Sequence, residues 1–443
     1  MKSQERGVAV LHSAQLSRRT LLRGGVGLGA AGALSALLAA CAAPASPAGS
    51  LTTLKFAYLD VLKNDYKDLF AASKKSGGLG IAVENVPGGW PELVTRINAL
   101  RQTGKAPDLS AMSVSLIPGM IANGQLEDIA PFAKNLDRTK FSEASINTYV
   151  DGDHLWALPS SQYTQVMYYN KTLLDAAGIG EPPASWDSPW SFEEWRAAAE
   201  AATSGDGEVY GAAIELHPER TSQYLWSNDA TFLSDDLTSY EMDSPEAIDT
   251  FEFLAKMFKD GLVPPESLLT TVPLMDMFTS GRLATMVNGA WAMAGASAIS
   301  DFEWGVTPAP SGSTGKSYTP VWVDGWLMPE GGKNGEAAFT ALEYFESPEA
   351  WNLLLAANVG GIPPLLSVLE ENKATMFPGL SGERKGVWFD SIDHTRKYGF
   401  PVNYAQISNA VAQQLSLVST GDVSAAEALK GLKDPVEALL RQA

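Results

Sequence analysis

The sequence predicts an α/β protein built on a parallel sheet. Two observations carry this. Beyond residue 50, short apolar runs alternate with segments that are apolar at every third or fourth position, and glycines close most of the latter. The chain is also long, at 443 residues and 45% hydrophobic, which is enough to fill more than one core. Strands separated by helical crossovers pair in parallel, so the alternation itself selects the class.

The elements follow in order. Residues 54–59 read as a first strand and 66–75 as a helix stopped by Gly77-Gly78. Residues 81–86 are a second strand. The segment 90–103 repeats apolar residues at Leu93, Ile97 and Leu100 and closes at Gly104, the pattern of an amphipathic helix. A third strand, 109–114, precedes a short helix, 117–123, ended by Gly124. Further on, 165–169 is a strand and 171–177 a helix. Ser191 with Glu194 three residues later forms a capping box for a helix over 192–202. Residues 211–214 read as a strand leading into a polar loop, and 245–259 as a helix capped by Ser244. Strands at 283–288, 305–308 and 322–328 precede a helix at 335–345. The tail, 407–442, is helical with one break at Gly421. There is no internal repeat, and the polar turns at 311–316 and 329–334 are too short to be domain linkers.

The first forty residues read differently. Leu16-Ser17-Arg18-Arg19-Thr20-Leu21-Leu22-Arg23 is followed by an uncharged apolar stretch, 24–40, ending Leu38-Ala39-Ala40-Cys41. A basic start, an apolar middle and small residues at a cleavage point mark an export signal. The stretch is short for a membrane span. The first part resembles twin-arginine signals, with Leu21 and Arg23 standing where Phe and Lys are usual. The end resembles a bacterial lipobox, whose cysteine becomes the acylated first residue. Residues 1–40 are therefore expected to be removed and Cys41 lipidated, with 41–50 as a tether rich in Pro and Ser. Cys41 is the only cysteine, so no intramolecular disulfide forms. Gly27-Leu28-Gly29-Ala30-Ala31-Gly32 matches a dinucleotide fingerprint, but it lies inside the signal, with no strand before it, and carries no cofactor role.

Beyond the signal the chain holds 27 basic and 50 acidic side chains, a net charge of -23. That argues against nucleic acid and against a basic membrane-surface helix. Catalytic signatures are absent. The histidines, His12, His154, His217 and His394, are isolated, and no zinc or calcium spacing or nucleophile elbow occurs. Gly315-Lys316-Ser317 lacks the opening glycine of a phosphate loop, because Pro310 stands in its place. No cofactor, no metal and no catalysis are expected.

Four stretches in order resemble the bacterial extracellular solute-binding proteins, the maltose-binding-like receptors of ABC importers. The first is Ala106-Pro107-Asp108-Leu109 with Asn123–Ile129. The second is Asp151–Pro159 leading to Tyr168–Leu174 and Pro182–Trp186. The third is Phe278–Met286 ending Asn288-Gly289-Ala290-Trp291. The fourth is Ala337–Phe345 with Ser347–Ala350 and Gly361-Ile362-Pro363. The resemblance implies a type II two-lobe fold joined by a hinge of crossing segments. Lobe one is expected to hold 51–159 plus 320–366, and lobe two 160–319 plus 367–443. It also implies a monomer, anchored by its lipid on the outer side of a membrane. Such a receptor binds a mono- or oligosaccharide, or another small polar solute such as a polyol or phosphodiester, and delivers it to permease subunits. A secreted carbohydrate-active enzyme is the reading from another class.

Sugar recognition needs flat apolar faces and polar groups that bond hydroxyls. The resemblance points to Trp291 as a stacking ring, Tyr163 at the first crossover, and Tyr224 and Trp226 in the loop after 211–214, with Glu215 and Arg220 beside them. Alternation along 322–328 puts Trp322, Asp324 and Trp326 on one face, and Asp324 and Trp326 are taken as cleft residues. Tyr58 and Asp60 end the first strand, Trp90 follows a glycine pair at a loop lip, and Tyr404 lies one turn from a position where the maltose receptors stack a ring. Met112 and Ser115 replace an aromatic and an acid of those receptors, and Ser408 replaces the ring itself, which argues against maltose as the ligand.

Overall fold

The computed structural model describes residues 52–62, 64, 66–357 and 361–442, so the expected signal, lipidation site and tether lie outside the described residues. Three parallel strands come first: β1 (Thr52–Leu59), β2 (Leu79–Val86) and β3 (Leu109–Met112). β1 pairs with β2 along its length and with β3 at Phe56 and Ala57. The helices Lys67–Gly77 and Trp90–Gln102 form the crossovers. The two-residue strands β4 (Val150–Asp151) and β5 (His154–Leu155) make a small hairpin.

β6 (Leu158–Tyr163) and β7 (Gln165–Asn170) are separated by Thr164 alone, yet they belong to different sheets. β8 (Thr285–Gly289) and β9 (Trp304–Thr307) flank β7, each antiparallel to it. β10 (Thr319–Leu327) returns to the first sheet, antiparallel to β3 and β6, and β11 (Thr395–Lys397) runs parallel to its beginning. The first sheet has the order β11-β10-β3-β1-β2, with β6 also on β10, and the second β8-β7-β9. The expected parallel pairing holds for β1 to β3 and is corrected elsewhere. Alternation along the chain specifies strands and helices, but not the direction in which a distant strand joins the sheet.

Local signals explain the helix boundaries. The Ser191 and Glu194 capping box starts the helix Phe192–Ala202, and Ser244 accepts the Ala247 N–H at the start of Pro245–Lys259. The helix Tyr404–Thr420 stops where Gly421 turns left-handed at φ +78. The tail breaks a second time, between the helices Ala425–Gly431 and Lys433–Leu440. The expected strand at 211–214 makes one isolated bridge, from Ala213 to Met286. The polar loop after it is a helix, Pro218–Ser227, with Pro218 in the first turn and Glu219 beside it. Proline at that position loses no hydrogen bond and the acid complements the helix dipole.

The cores are assembled from distant segments. Leu54, Phe56, Leu109, Trp326, Phe345 and Trp351 share one core on the first sheet. Met167, Trp195, Phe251, Ile407 and Leu415 form another beside the second sheet, and Tyr168, Phe278, Met286 and Trp388 a third. Each such side chain contributes about 1.5–3 kcal/mol by leaving water. Where the chain passes from one sheet to the other, Gln162 and Ile362 exchange backbone hydrogen bonds of 3.0 and 2.7 Å.

Candidate functional site

The crossing strands, the carboxyl ends of β1 and β3, and the start of the helix Pro218–Ser227 meet around a cavity of about 500 Å³. Loops at the carboxyl ends of parallel strands are the usual place for such a site. Tyr58 ends β1, Tyr66 precedes the helix Lys67–Gly77, and Trp90 opens the helix Trp90–Gln102; all three line the wall. Ser113 and Ser115 follow β3 and share a hydroxyl contact of 3.1 Å. Tyr163, Trp322 and Asp324 come from the crossing strands, Glu219 and Arg220 from the helix, and Trp291 from the turn after β8.

Trp291 is 37% exposed, rare for so large a ring. It stacks on Trp322 with ring centres 5.9 Å apart and planes 22° apart, and Tyr163 meets it edge-on at 5.4 Å. The Arg220 guanidinium lies over both indoles, 4.7 Å from Trp291 and 5.3 Å from Trp322. Gly289 makes this packing possible: a Cβ there would sit 2.0 Å from the Trp291 ring.

The polar groups are few and mostly enclosed. Asp324 accepts the Val114 N–H at 3.2 Å, yet burial pushes its carboxyl up to about 7, because the low dielectric disfavours the charge more than that one bond restores. Glu215 stands 3.7 Å from Arg220, and Glu219 accepts the Tyr404 hydroxyl. Trp322 Nε1 and Arg220 Nη1 are buried with no hydrogen-bond partner among the described residues. Burial raises the Tyr58 phenol first, and the neighbouring Tyr66 adds to the effect.

Of the candidates named from the sequence, Trp291, Tyr163, Asp324, Tyr58 and Trp90 line this cavity. The others lie elsewhere. Trp326 is 0% exposed, packed on Phe56, Tyr66 and Phe345 in the first core. Tyr224 is buried flat against Trp195, at 5.6 Å and 11°, because its helix turns that face inward. Trp226, on the same helix, lines a separate cavity of about 740 Å³ with Phe232, Tyr398 and Arg396. Tyr404 is buried against Tyr398 and Phe400 and reaches the wall only through its bond to Glu219. Asp60 begins the short turn Asp60–Leu62, from which Leu62 lines the cavity. Tyr66 and Glu219 were missed. Proline followed by an acid at 218–219 is a helix-start signal that would have placed Glu219 and Arg220 together on a first turn.

A cavity walled by rings, with a few convergent polar groups and cores on either side, is built to hold a small polar solute. The chain belongs to the bacterial extracellular solute-binding proteins, whose family model matches residues 68–381. It is 25% identical over 302 residues to a putative binding protein of Brucella abortus, covering 66% of this chain and 70% of that one. It is 24% identical over 291 residues to a galactooligosaccharide-binding protein of Bacillus subtilis, covering 62% and 64%. An ABC substrate-binding protein of Listeria monocytogenes, solved with cycloalternan, superposes with a TM-score of 0.80 at 18% identity, over 88% of this chain and all, 100%, of that one. The fold is thus the type II fold expected from the sequence. Among the described residues no helix is long and apolar enough to cross a membrane.

Proposed function

We propose that the protein is the lipid-anchored substrate-binding subunit of an ABC importer and that its cavity takes a mono- or oligosaccharide. The observation that carries this is the exposed Trp291 ring, backed by Trp322 and Tyr163, beside the carboxyl of Asp324 and the guanidinium of Arg220. The ring offers the apolar surface that a pyranose C–H face needs, and the polar groups bond hydroxyls. The binding proteins of B. subtilis and L. monocytogenes point the same way. The two lobes are 51–159 plus 320–366 and 160–319 plus 367–443. Most core residues support that division, with Leu54, Leu109 and Phe345 in the first set and Met167, Phe251 and Ile407 in the second, whereas Trp322 and Val368, close to the crossing points, each pack in the other lobe's set. The ligand stabilises closure about the crossing strands, and the closed form docks on permease subunits. The protein itself catalyses no reaction.

A saccharide panel tests this. A bound sugar should raise the melting temperature by mass action and shift tryptophan emission, with the added sugar recovered unchanged. Turnover of a glycan by the purified protein would sink the receptor reading.

The anchor has its own test. The single cysteine at the end of Leu38-Ala39-Ala40-Cys41 supports lipidation, and the chain beyond it is net acidic, a charge that does not favour an anionic membrane surface. Cys41→Ser should be released from membranes with solute binding intact. A variant still sedimenting with the membrane would exclude a lipid at this position.

A further inference from the structure

We propose that the end of the cavity built by Tyr58, Tyr66, Trp90 and Asp324 takes a protonated amine, so that the solute carries an ammonium group, an amino saccharide being the simplest case. This rests on the receptor reading and narrows its substrate class.

The rings are the first reason. Tyr58 and Tyr66 lie 5.2 Å apart at 59°, and Tyr58 and Trp90 6.1 Å apart at 66°. Rings so tilted offer no common platform for a flat sugar face. Tyr58 packs directly on Tyr66 and on Trp90, so this end of the cavity is lined by aromatic carbon, whose π surface favours a cation beside it.

Asp324 is the second. One of its oxygens accepts the Val114 N–H, and the other has no hydrogen-bond partner among the described residues. Its charge reaches Tyr58 and Tyr149. A sugar hydroxyl donated to this carboxyl leaves a half-buried charge uncompensated. An ammonium group cancels it and restores the ionised form that burial disfavours.

The surrounding charges agree. The other charged side chains on the wall are Glu219 and Arg220. Arg220 rests on the two indoles with Glu215 3.7 Å away, and Glu219 holds the Tyr404 hydroxyl. Acids therefore outnumber bases around the cavity, on a chain whose net charge beyond the signal is -23. That field concentrates cationic solutes.

Matched ligands test the inference: glucosamine, N-acetylglucosamine and glucose, with the corresponding β-1,4-linked disaccharides, titrated by calorimetry at a pH where the amine is protonated. The free amine should bind about 10–100-fold more tightly than its neutral partners. Asp324→Asn should erase that preference while the unliganded protein melts at the same temperature or higher. Asp324→Glu should keep part of it. If the neutral forms bind as tightly, if Asp324→Asn retains the preference, or if no amine binds, the inference falls. Tight binding of a neutral saccharide without product would overturn it while leaving the receptor reading standing, whereas turnover would overturn the receptor reading instead.

Discussion

Replacing Trp291 with alanine should weaken saccharide binding by about 30-fold or more, the loss of roughly 2 kcal/mol typical of a central ring in a binding site. The fold should survive. The ring is 37% exposed, and its contacts are with Tyr163, Trp322 and Arg220, all on the cavity wall. Truncation thus opens space toward solvent rather than a void in a core. Gly289→Ala is a second route to the same result. The new Cβ would stand 2.0 Å from the ring, which must swing aside. The obstacle is a side chain and not backbone, so the strand stays in register while the stacking surface is displaced. Both variants should retain the parent circular dichroism and lose affinity together. If Trp291→Ala binds within twofold of the parent, the ring is not the platform.

Glu346→Gln should raise stability by several kcal/mol above pH 8 and leave it nearly unchanged at pH 4. Glu346 is 8% exposed, follows the helix Gly335–Phe345 and accepts the Trp351 indole N–H at 3.1 Å. Its second oxygen is buried without a partner among the described residues. Burial lifts the carboxyl from its ordinary 4.5 to about 8. The folded state therefore holds a proton that the unfolded chain releases, and stability falls as pH rises from 4.5 through 8. The full effect is at most about 5 kcal/mol, reached above the folded value. Glutamine keeps an acceptor for Trp351 and never ionises. Asp324 and other groups titrate equally in both proteins, so the difference between the two denaturation curves isolates Glu346. A difference that stays constant from pH 4 to pH 9 would show that the carboxyl does not titrate in this window.

Five of the ten candidate site residues line the cavity, and for three of the others a helix decides where the ring goes. The sequence reads as a loop around Tyr224 and Trp226, where the chain forms a helix. Once coiled, the helix turns Tyr224 into the core and Trp226 toward a different cavity. Tyr404 is also set by its helix and does not line the cavity. Its helix carries it to the right neighbourhood, but the ring is spent on packing and only its hydroxyl bond to Glu219 touches the wall.

Local sequence is sufficient wherever neighbouring residues settle the outcome among themselves. The capping box at Ser191 and Glu194, the Ser244 cap and the left-handed stop at Gly421 need only a few adjacent residues, so their helices begin or end where expected. The order of motifs was likewise enough to recognise the family. Tertiary structure alone decided sheet direction and exposure. Trp322, Asp324 and Trp326 show why. Alternation puts all three on one face of β10, and the structure opens that face to the cavity at Trp322 and Asp324 but covers it with Tyr66 and Phe345 at Trp326. A strand specifies which way its side chains point. Whether they meet a ligand or a core depends on elements hundreds of residues away, and no local pattern encodes that.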